Sequence, residues 1–430
     1  MKSNNVAFLW DESFLWGLMA YKALKQRNLP FDLIRSADIK NGGLDRYRML
    51  FVPGGWASNK SRTLGDSGIR AVKRFVESGG SYLGFCGGAG LATQAKGGIG
   101  LLDVQRKPTG ERVPSFSGRI HLNVNEHQIW EGLTESGEQT RGSDSSLLTL
   151  NSKLVFHAWW PSQFVVAEHP AIRVLATYAD PMCDSFSSDL NVGDVEMSGG
   201  WEKFEKIYNI NLDPARLKGE PALIEGEFGK GRVILSLVHF DTPEDNNGQE
   251  VLIQLWKYLS GGAGQGGGQR SGVRDNASSP VRARCNAPVQ NMCSELISLG
   301  ERNFLWFWRN SMLLQWRRGV RGLEYNTLYI MMKEISEIMN SENDGQVSQC
   351  APAMESIKEK LGSFLENAKS LLLLERFALQ QGPITYIQCD DPEIQQLRNK
   401  LFGSAKSHGG MFKEVLDEVD RLLYQLLTHS

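Results

Sequence analysis

The chain has 430 residues, 41% of them hydrophobic, which is enough for two or three domains that each bury a core. Its formal net charge of -2 argues against a basic nucleic-acid-binding protein and against an acidic disordered tail. No stretch reaches the roughly 18 apolar residues of a membrane span, and the first apolar run is too short for a signal peptide. We therefore expect a cytoplasmic protein with neither a membrane anchor nor a nucleic-acid partner.

The six cysteines are scattered and lack the paired spacing of a metal site or a redox motif. We interpret them as free thiols in a reducing compartment, and we expect no metal and no cofactor. They are Cys86, Cys183, Cys285, Cys293, Cys350 and Cys389.

Strands and helices alternate along the first ninety residues. Buried strands are predicted at 6–10, 31–34, 47–52 and 82–85, with helices at 13–26 and 67–78. This alternation predicts an α/β fold with a parallel sheet and helices on both faces. Ligands bind such sheets beyond the carboxyl ends of the strands, so Gly55 and Cys86 are expected on one rim.

Residues 81–90 (SYLGFCGGAG) carry the strongest candidate for chemistry, because Cys86 stands between a buried strand and a helix start. A nucleophile in that position needs a sharp turn, and small residues such as Gly84 and Gly88 let the backbone pass. The positive end of the following helix would favour the thiolate. The alternative interpretation is a glycine-rich turn around a buried, inert cysteine.

Regularity weakens from 97 to 212, where the aromatic stretch 156–164 (FHAWWPSQF) is predicted to be irregular. Two strands, 222–228 and 232–238, then form a hairpin that leads directly into His239. A helix at 249–259 closes the first domain, which we bound at residues 1–260.

A cysteine nucleophile needs a base, a group that orients the base, and donors for the oxyanion. His239 alone among the seven histidines follows a strongly patterned strand, and Asp241 can turn back to its ring. The backbone N–H groups of Gly55 and Gly87 are the candidate oxyanion donors. The alternative for His239 is a structural histidine at a strand end.

A Gly/Ser-rich stretch predicts a flexible linker at 261–284, and a helical domain at 285–430 follows. Leu373 and Phe377 are expected on its core faces, and the domain could bind a protein partner. The Trp- and Arg-rich stretch 304–321 is interpreted as a bundle helix, with a helix on a lipid surface as the alternative. The predicted helices span 291–318, 323–340, 354–380, 392–401 and 410–427.

Residues 5 to about 260 resemble the class I glutamine amidotransferase-like superfamily, and most closely the domain at the amino terminus of some biotin-protein ligases. The segments that carry the resemblance are Val52-Pro53-Gly54-Gly55, Gly84-Phe85-Cys86-Gly87-Gly88 and His239-Phe240-Asp241. The resemblance implies a flavodoxin-like, doubly wound, mostly parallel sheet and a triad of Cys86, His239 and an acid. The loops of the ligase catalytic domain are absent from the sequence, so biotin transfer is not expected.

Two departures from the superfamily leave two functions open. Gly90 occupies the glutamine position of the Gly-x-Cys-x-Gly-x-Gln elbow, and Asp241 stands in place of a glutamate. The first hypothesis is a cysteine-dependent amidohydrolase or amidotransferase-like enzyme that acts on a small amide. The second is a catalytically silent module that binds a ligand or a protein.

Overall fold

A computed structural model describes residues 5–133, 153–166, 171–261, 280–341, 344–385, 389–404 and 408–429. The chain forms two compact units, Met1–Gly267 and Gly268–Ser430. The first unit combines strands and helices, whereas the second is mainly helical.

The amino-terminal unit begins with alternating strands and helices and continues mostly as β-structure to its last helix. Its strands are β1 (Val6–Leu9), β2 (Asp32–Ile34), β3 (Met49–Val52), β4 (Ser81–Phe85), β5 (Val104–Arg106), β6 (Phe116–Val124), β7 (Lys153–Trp159), β8 (Phe164–Val166), β9 (Ile172–Pro181), β10 (Phe186–Ser187), β11 (Leu190–Asn191), β12 (Pro221–Phe228) and β13 (Gly231–Ser236). Its helices are α1 (Phe14–Gln26), α2 (Ser36–Lys40), α3 (Ala57–Glu77), α4 (Gly87–Leu91), α5 (Val192–Met197), α6 (Glu202–Tyr208) and α7 (Asn246–Ser260).

Five parallel strands form one half of the main sheet, in the order β2-β1-β3-β4-β13. Every residue of β1, β3 and β4 is buried, as expected for parallel strands that are covered on both faces. The α/β class predicted from the sequence is confirmed. Because these strands are parallel, their carboxyl ends share one edge of the sheet.

The other half of the sheet is antiparallel and extends from β13 through β12, β9, β6, β10 and β11. With β7 paired to β6, the sheet has 11 strands in the described part of the chain and is mixed. The predicted irregularity of 156–164 is wrong at 156–159, which belong to β7. There Leu154, Phe156 and Ala158 are buried at alternate positions, a period of two that the surrounding aromatic residues obscured in the sequence.

The carboxy-terminal unit contains five helices in its described residues, together with one two-stranded hairpin. Rings of Tyr325, Phe364, Phe402 and Phe412 pack against one another in its core. The helices are α8 (Pro280–Arg302), α9 (Gly322–Ser341), α10 (Asp344–Gln381), α11 (Pro392–Phe402) and α12 (Gly410–His429), and the strands are β14 (Trp306–Trp308) and β15 (Leu314–Trp316).

The predicted helix over 291–318 is wrong beyond Arg302, because the Trp-rich stretch 304–321 forms the β14–β15 hairpin. This hairpin also removes the basis for a lipid-surface helix. Trp306 is buried and donates a hydrogen bond of 2.9 Å from Nε1 to the carbonyl of Ile297. A Cβ at Gly300 would lie 2.0 Å from the Trp306 ring, so the glycine makes room for the indole.

The predicted linker lies largely outside the described residues, and two residues predicted for the helical core are exposed. Residues 262–279 of the predicted linker lie outside the described ranges, and residues 280–284 belong to α8. Leu373 and Phe377 do not face the core, since they are 43% and 65% exposed.

None of the helices described is long and apolar enough to cross a bilayer.

Candidate active site

Cys86 stands in a sharp turn between β4 and α4, with backbone angles φ 48° and ψ -104°. A non-glycine residue at positive φ costs on the order of 1–3 kcal/mol and persists only where its surroundings enforce it. Here the N–H of Cys86 donates to the carbonyl of Ser236 at 2.8 Å, and the carbonyl of Cys86 accepts from the N–H of Gly90 at 2.9 Å. These two bonds hold the turn at both of its ends.

Close backbone contacts explain the glycines around Cys86. A Cβ at Gly84 would lie 2.6 Å from the backbone of Gly88, and a Cβ at Gly88 would lie 1.9 Å from the carbonyl oxygen of Val52. Both are shorter than any tolerated contact, so the strand and the helix meet only because these positions lack side chains. The end of β4 and the start of α4 therefore pack directly against each other around Cys86.

His239 reaches the same edge of the sheet from the neighbouring strand. β13 pairs in parallel with β4, and Ser236 lies opposite Phe85, the residue before Cys86. The chain then turns, because the Thr242 hydroxyl donates to the carbonyl of His239 at 2.9 Å. This turn returns Asp241 to the ring, where its Oδ1 lies 3.0 Å from Nδ1 of His239.

The His239–Asp241 pair is fully buried, and its electrostatics favour a charged ring. Burial alone would lower the pKa of His239, but the charge and hydrogen bond of Asp241 outweigh it, with further contributions from Cys86. Together they raise the pKa of His239 to about 10. At neutral pH the imidazolium form therefore predominates, next to a sulfur that it can stabilise as thiolate.

Cys86 contributes to the raised pKa of His239, but Nε2 of the ring makes no hydrogen bond of good geometry within the described residues. Hydrogen bonds between a nucleophile and its base are often long or poorly aligned before a substrate binds. Cys86 is partly exposed, whereas His239 is fully buried. The Trp16 ring lies 4.9 Å from the His239 ring and covers it.

Gly55 and Gly87, the predicted oxyanion donors, lie against each other. A Cβ at Gly87 would be 1.7 Å from the carbonyl oxygen and 3.1 Å from the nitrogen of Gly55, whose φ is +114°. Gly87 is the first residue of α4, so its N–H has no acceptor within the helix. Within the described residues neither N–H donates a hydrogen bond, so both are free to bind an oxygen.

Three residues that the sequence did not single out lie around this cluster. Trp16 covers the His239 ring, and Arg106 and Tyr178 are near enough to Cys86 for its charge to act on their ionisation. Burial raises the pKa of Tyr178 well above its usual value, and its hydroxyl has no hydrogen-bond partner. None of the three belongs to a motif, so only their spatial proximity identifies them.

The described part of this unit has a cavity and a further histidine–carboxylate pair, and the carbonyl of that histidine, His157, accepts from the N–H of His239 at 2.8 Å. A surface cavity of about 800 Å³ is lined by Arg48, Arg74 and Ser81 among others, at the amino ends of the strands and thus at the edge opposite Cys86. His157 bonds Asp245 at 2.7 Å, and that carboxylate caps α7. No three His, Cys, Asp or Glu residues cluster as metal ligands in the ranges described.

The sequence matches one family in part: residues 41–96 match the model of the biotin-protein ligase amino-terminal family. This segment contains β3, α3, β4 and the Cys86 turn, and the match agrees with the resemblance seen in the sequence. No curated protein matches the chain.

Several solved structures resemble about three fifths of the chain at low identity. A protein from Thermoplasma acidophilum that is described as a GMP synthase subunit is 11% identical with a TM-score of 0.36, and the match covers 61% of this chain and 96% of the other. A ThuA-like protein from Bacteroides uniformis is 10% identical with a TM-score of 0.36, covering 60% and 93%. A β-galactosidase from Bacillus circulans sp. alkalophilus is 15% identical with a TM-score of 0.34, covering 60% and 31%. Likenesses this weak identify neither a fold family nor an activity.

Proposed function

We propose that the amino-terminal unit is a cysteine-dependent amidohydrolase or amidotransferase-like enzyme that acts on a small amide. Cys86 is the nucleophile, His239 moves the proton, Asp241 orients and charges the ring, and Gly55 and Gly87 donate to the oxyanion. The observation that carries this proposal is the partly exposed Cys86 at φ 48° beside a buried His239–Asp241 pair.

The chemistry follows from the positions of these groups. The Cys86 thiolate attacks the amide carbonyl, a C–S bond forms, and the oxyanion accepts from the N–H groups of Gly55 and Gly87. Collapse breaks the C–N bond, and His239 protonates the departing nitrogen. Water, deprotonated by His239, then attacks the thioester and breaks its C–S bond, which releases the acid and restores the Cys86 thiolate beside the protonated ring. One oxyanion donor is typically worth about 3 kcal/mol of barrier.

We further propose that residues 1–260 form one domain whose parallel half is flavodoxin-like and doubly wound. Its strand order, β2-β1-β3-β4-β13, is the 2-1-3-4-5 order of that fold. We keep residues 285–430 as a separate helical domain. Because a thiol nucleophile must stay reduced, the proposed location is the cytoplasm.

Covalent labelling tests the nucleophile. A small chloromethyl ketone that mimics an amide substrate would lose chloride as its C–S bond to Cys86 forms. Peptide mapping should find the adduct at Cys86 in the wild-type protein and none there in Cys86→Ala. His239→Gln should slow the labelling by about 10²-fold or more, the usual contribution of a positioned proton donor or acceptor.

Cys183 provides the internal reference, because it is exposed and far along the chain from Cys86. Its slow labelling should be the same in all three proteins. If Cys86 and Cys183 label at equal rates, or if His239→Gln labels as fast as wild type, the enzyme proposal fails.

A silent binding module with a helical interaction domain remains the second candidate. The absence of a side chain at Gly90 favours it, as do Leu373 and Phe377, which α10 exposes to 43% and 65%. Under this candidate the unit binds a ligand at the Cys86 edge without turning it over, and the carboxy-terminal helices bind a protein. Unreactive Cys86 in the labelling experiment would favour it.

A further inference from the structure

Arg106, the last residue of β5, lies directly beside the Cys86 turn. Gly90 stands one turn of α4 beyond Cys86, and a Cβ at Gly90 would lie 3.2 Å from Nη1 of Arg106. The guanidinium thus occupies the space that a side chain at position 90 would enter. Burial lowers the pKa of Arg106 and the charge of Cys86 raises it, so the guanidinium lies within electrostatic reach of the sulfur.

A second arginine converges on the same place. Nε of Arg106 donates to the hydroxyl of Ser162 at 2.8 Å, and Nη1 of Arg112 donates to the same oxygen at 3.1 Å. Nη2 of Arg112 donates to Oγ1 of Thr109 at 2.9 Å. Neutral hydroxyls, rather than carboxylates, therefore fix both guanidinium groups.

The two guanidinium groups have no acidic partner in the described part of the chain, whereas the neighbouring Lys107 is paired with Glu220. Nε of Arg112 is buried without any hydrogen-bond partner. Burial lowers the pKa of both arginines, and the charge of Arg106 lowers that of Arg112 further. Two half-buried cations that repel each other are costly unless an anion joins them.

We propose that Arg106 and Arg112 bind the carboxylate of an anionic amide substrate whose carbonyl carbon lies at Cys86. A guanidinium matches a carboxylate with two parallel hydrogen bonds, which gives orientation as well as affinity. The proposal is tested with a short case, a substrate with two methylene groups between the carboxylate and the amide. This substrate class rests on the function proposed above.

Two reagents that differ only in charge test whether Arg106 recognises a carboxylate. The anionic 5-chloro-4-oxopentanoate and its uncharged methyl ester carry the same chloromethyl ketone, so they differ only in the carboxylate. Arg106→Gln should lower the second-order rate constant of the anionic reagent at Cys86 by about tenfold or more, as expected for a lost charged hydrogen bond. The ester should change by less than about twofold, and Arg106→Lys should restore part of the difference.

Arg119→Gln is the control, because Arg119 is exposed and paired with Asp184 at 2.8 Å. It should leave both rate constants unchanged. If Cys86 of the wild type reacts with both reagents and does not prefer the anionic one, or if Arg106→Gln slows both reagents equally, the carboxylate subsite is refuted.

Equilibrium binding separates this inference from the enzyme proposal. In Cys86→Ala, succinamate should raise the melting temperature more than uncharged succinamide, and Arg106→Gln should abolish the difference. If Cys86 of the wild type reacts with neither reagent, but succinamate still raises the melting temperature more than succinamide, the amidohydrolase proposal fails and the carboxylate subsite stands. Equal effects of succinamate and succinamide would refute the subsite whatever the reactivity of Cys86.

Discussion

His239 is the residue whose charge state decides the chemistry of the site. Its ring is fully buried, and an isolated imidazolium would be unstable there. The carboxylate of Asp241, 3.0 Å away, reverses that preference, so the charged form predominates at neutral pH. The ring can therefore both stabilise a thiolate and donate a proton to a leaving amine.

This charge has a measurable effect on stability. The pKa of His239 is about 10 in the folded protein and 6.5 in its ordinary state, so the native state binds the extra proton between these values. The stabilisation is fully present below pH 6.5 and is lost as the pH rises through 10. With Cys86 replaced by alanine in both proteins, so that no thiol titrates beside the ring, we expect the free energy of unfolding to fall relative to that of the His239→Gln variant by up to about 1.4 kcal/mol per pH unit in this window.

Urea unfolding of both proteins at several pH values between 6 and 10 measures this difference. Gly110→Ala is a suitable control, since it alters no ionisable group and should run parallel to wild type. Parallel curves for Cys86→Ala with and without His239→Gln would contradict the assignment of a charged, buried ring.

The sequence pointed to three residues of the candidate site but not to Arg106. Cys86, His239 and Asp241 follow strongly patterned strands, so their place at one edge of the sheet could be predicted. Arg106 could not be, because β5 has three residues and its guanidinium meets Gly90 only through the folded backbone. Recognition groups on short irregular segments carry no periodic signal.

At the scale of elements, the joint between β4 and α4 determines where the sulfur points. Gly88 packs against β3 so closely that a Cβ would lie 1.9 Å from the Val52 carbonyl oxygen. Neither backbone can move without disturbing the parallel strands beside it. The position of Cys86 is therefore tied to the packing of the sheet.

Gly88→Ala should accordingly destabilise the amino-terminal unit by about 1–3 kcal/mol and slow the labelling of Cys86. Gly110→Ala is the matched control, because a Cβ there has no atom within 4 Å and the change should stay within about 0.5 kcal/mol. Urea unfolding and labelling rates measure both effects. Equal stabilities of the two variants would show that the joint tolerates a side chain and that its geometry is not enforced.

Elements of the carboxy-terminal unit show where pattern reasoning fails. The run 304–321 has apolar spacing compatible with a helix, but Gly300 and Gly322 open space for the Trp306 and Trp316 rings and the run folds as a hairpin. In α10 the charged Glu375 is buried against Arg398 at 2.8 Å, while Phe377 is 65% exposed. A buried ion pair places charged residues at positions where the helical pattern predicts apolar ones, so the pattern assigns the buried face of the helix wrongly.

At the scale of the whole molecule, the proposed enzyme requires that two segments roughly 150 positions apart in the sequence share a proton. The parallel pairing of β4 with β13 joins them, and the register opposite Phe85 brings the His239 turn beside the Cys86 turn. Alternating strands and helices predicted the parallel half correctly. The antiparallel half could not be predicted as fully, because β10 and β11 have only two residues each.

The pH dependence of Cys86 alkylation by iodoacetamide tests this claim most directly, with exposed Cys183 as the reference in the same sample. The thiolate is the reactive form, so stabilisation by the His239 imidazolium should make wild-type Cys86 react faster than Cys86 of His239→Gln throughout the neutral pH range. The alkylation rate of Cys183 should be the same in both proteins. Superimposable profiles for the two proteins would contradict the shared proton and, with it, the proposed enzyme.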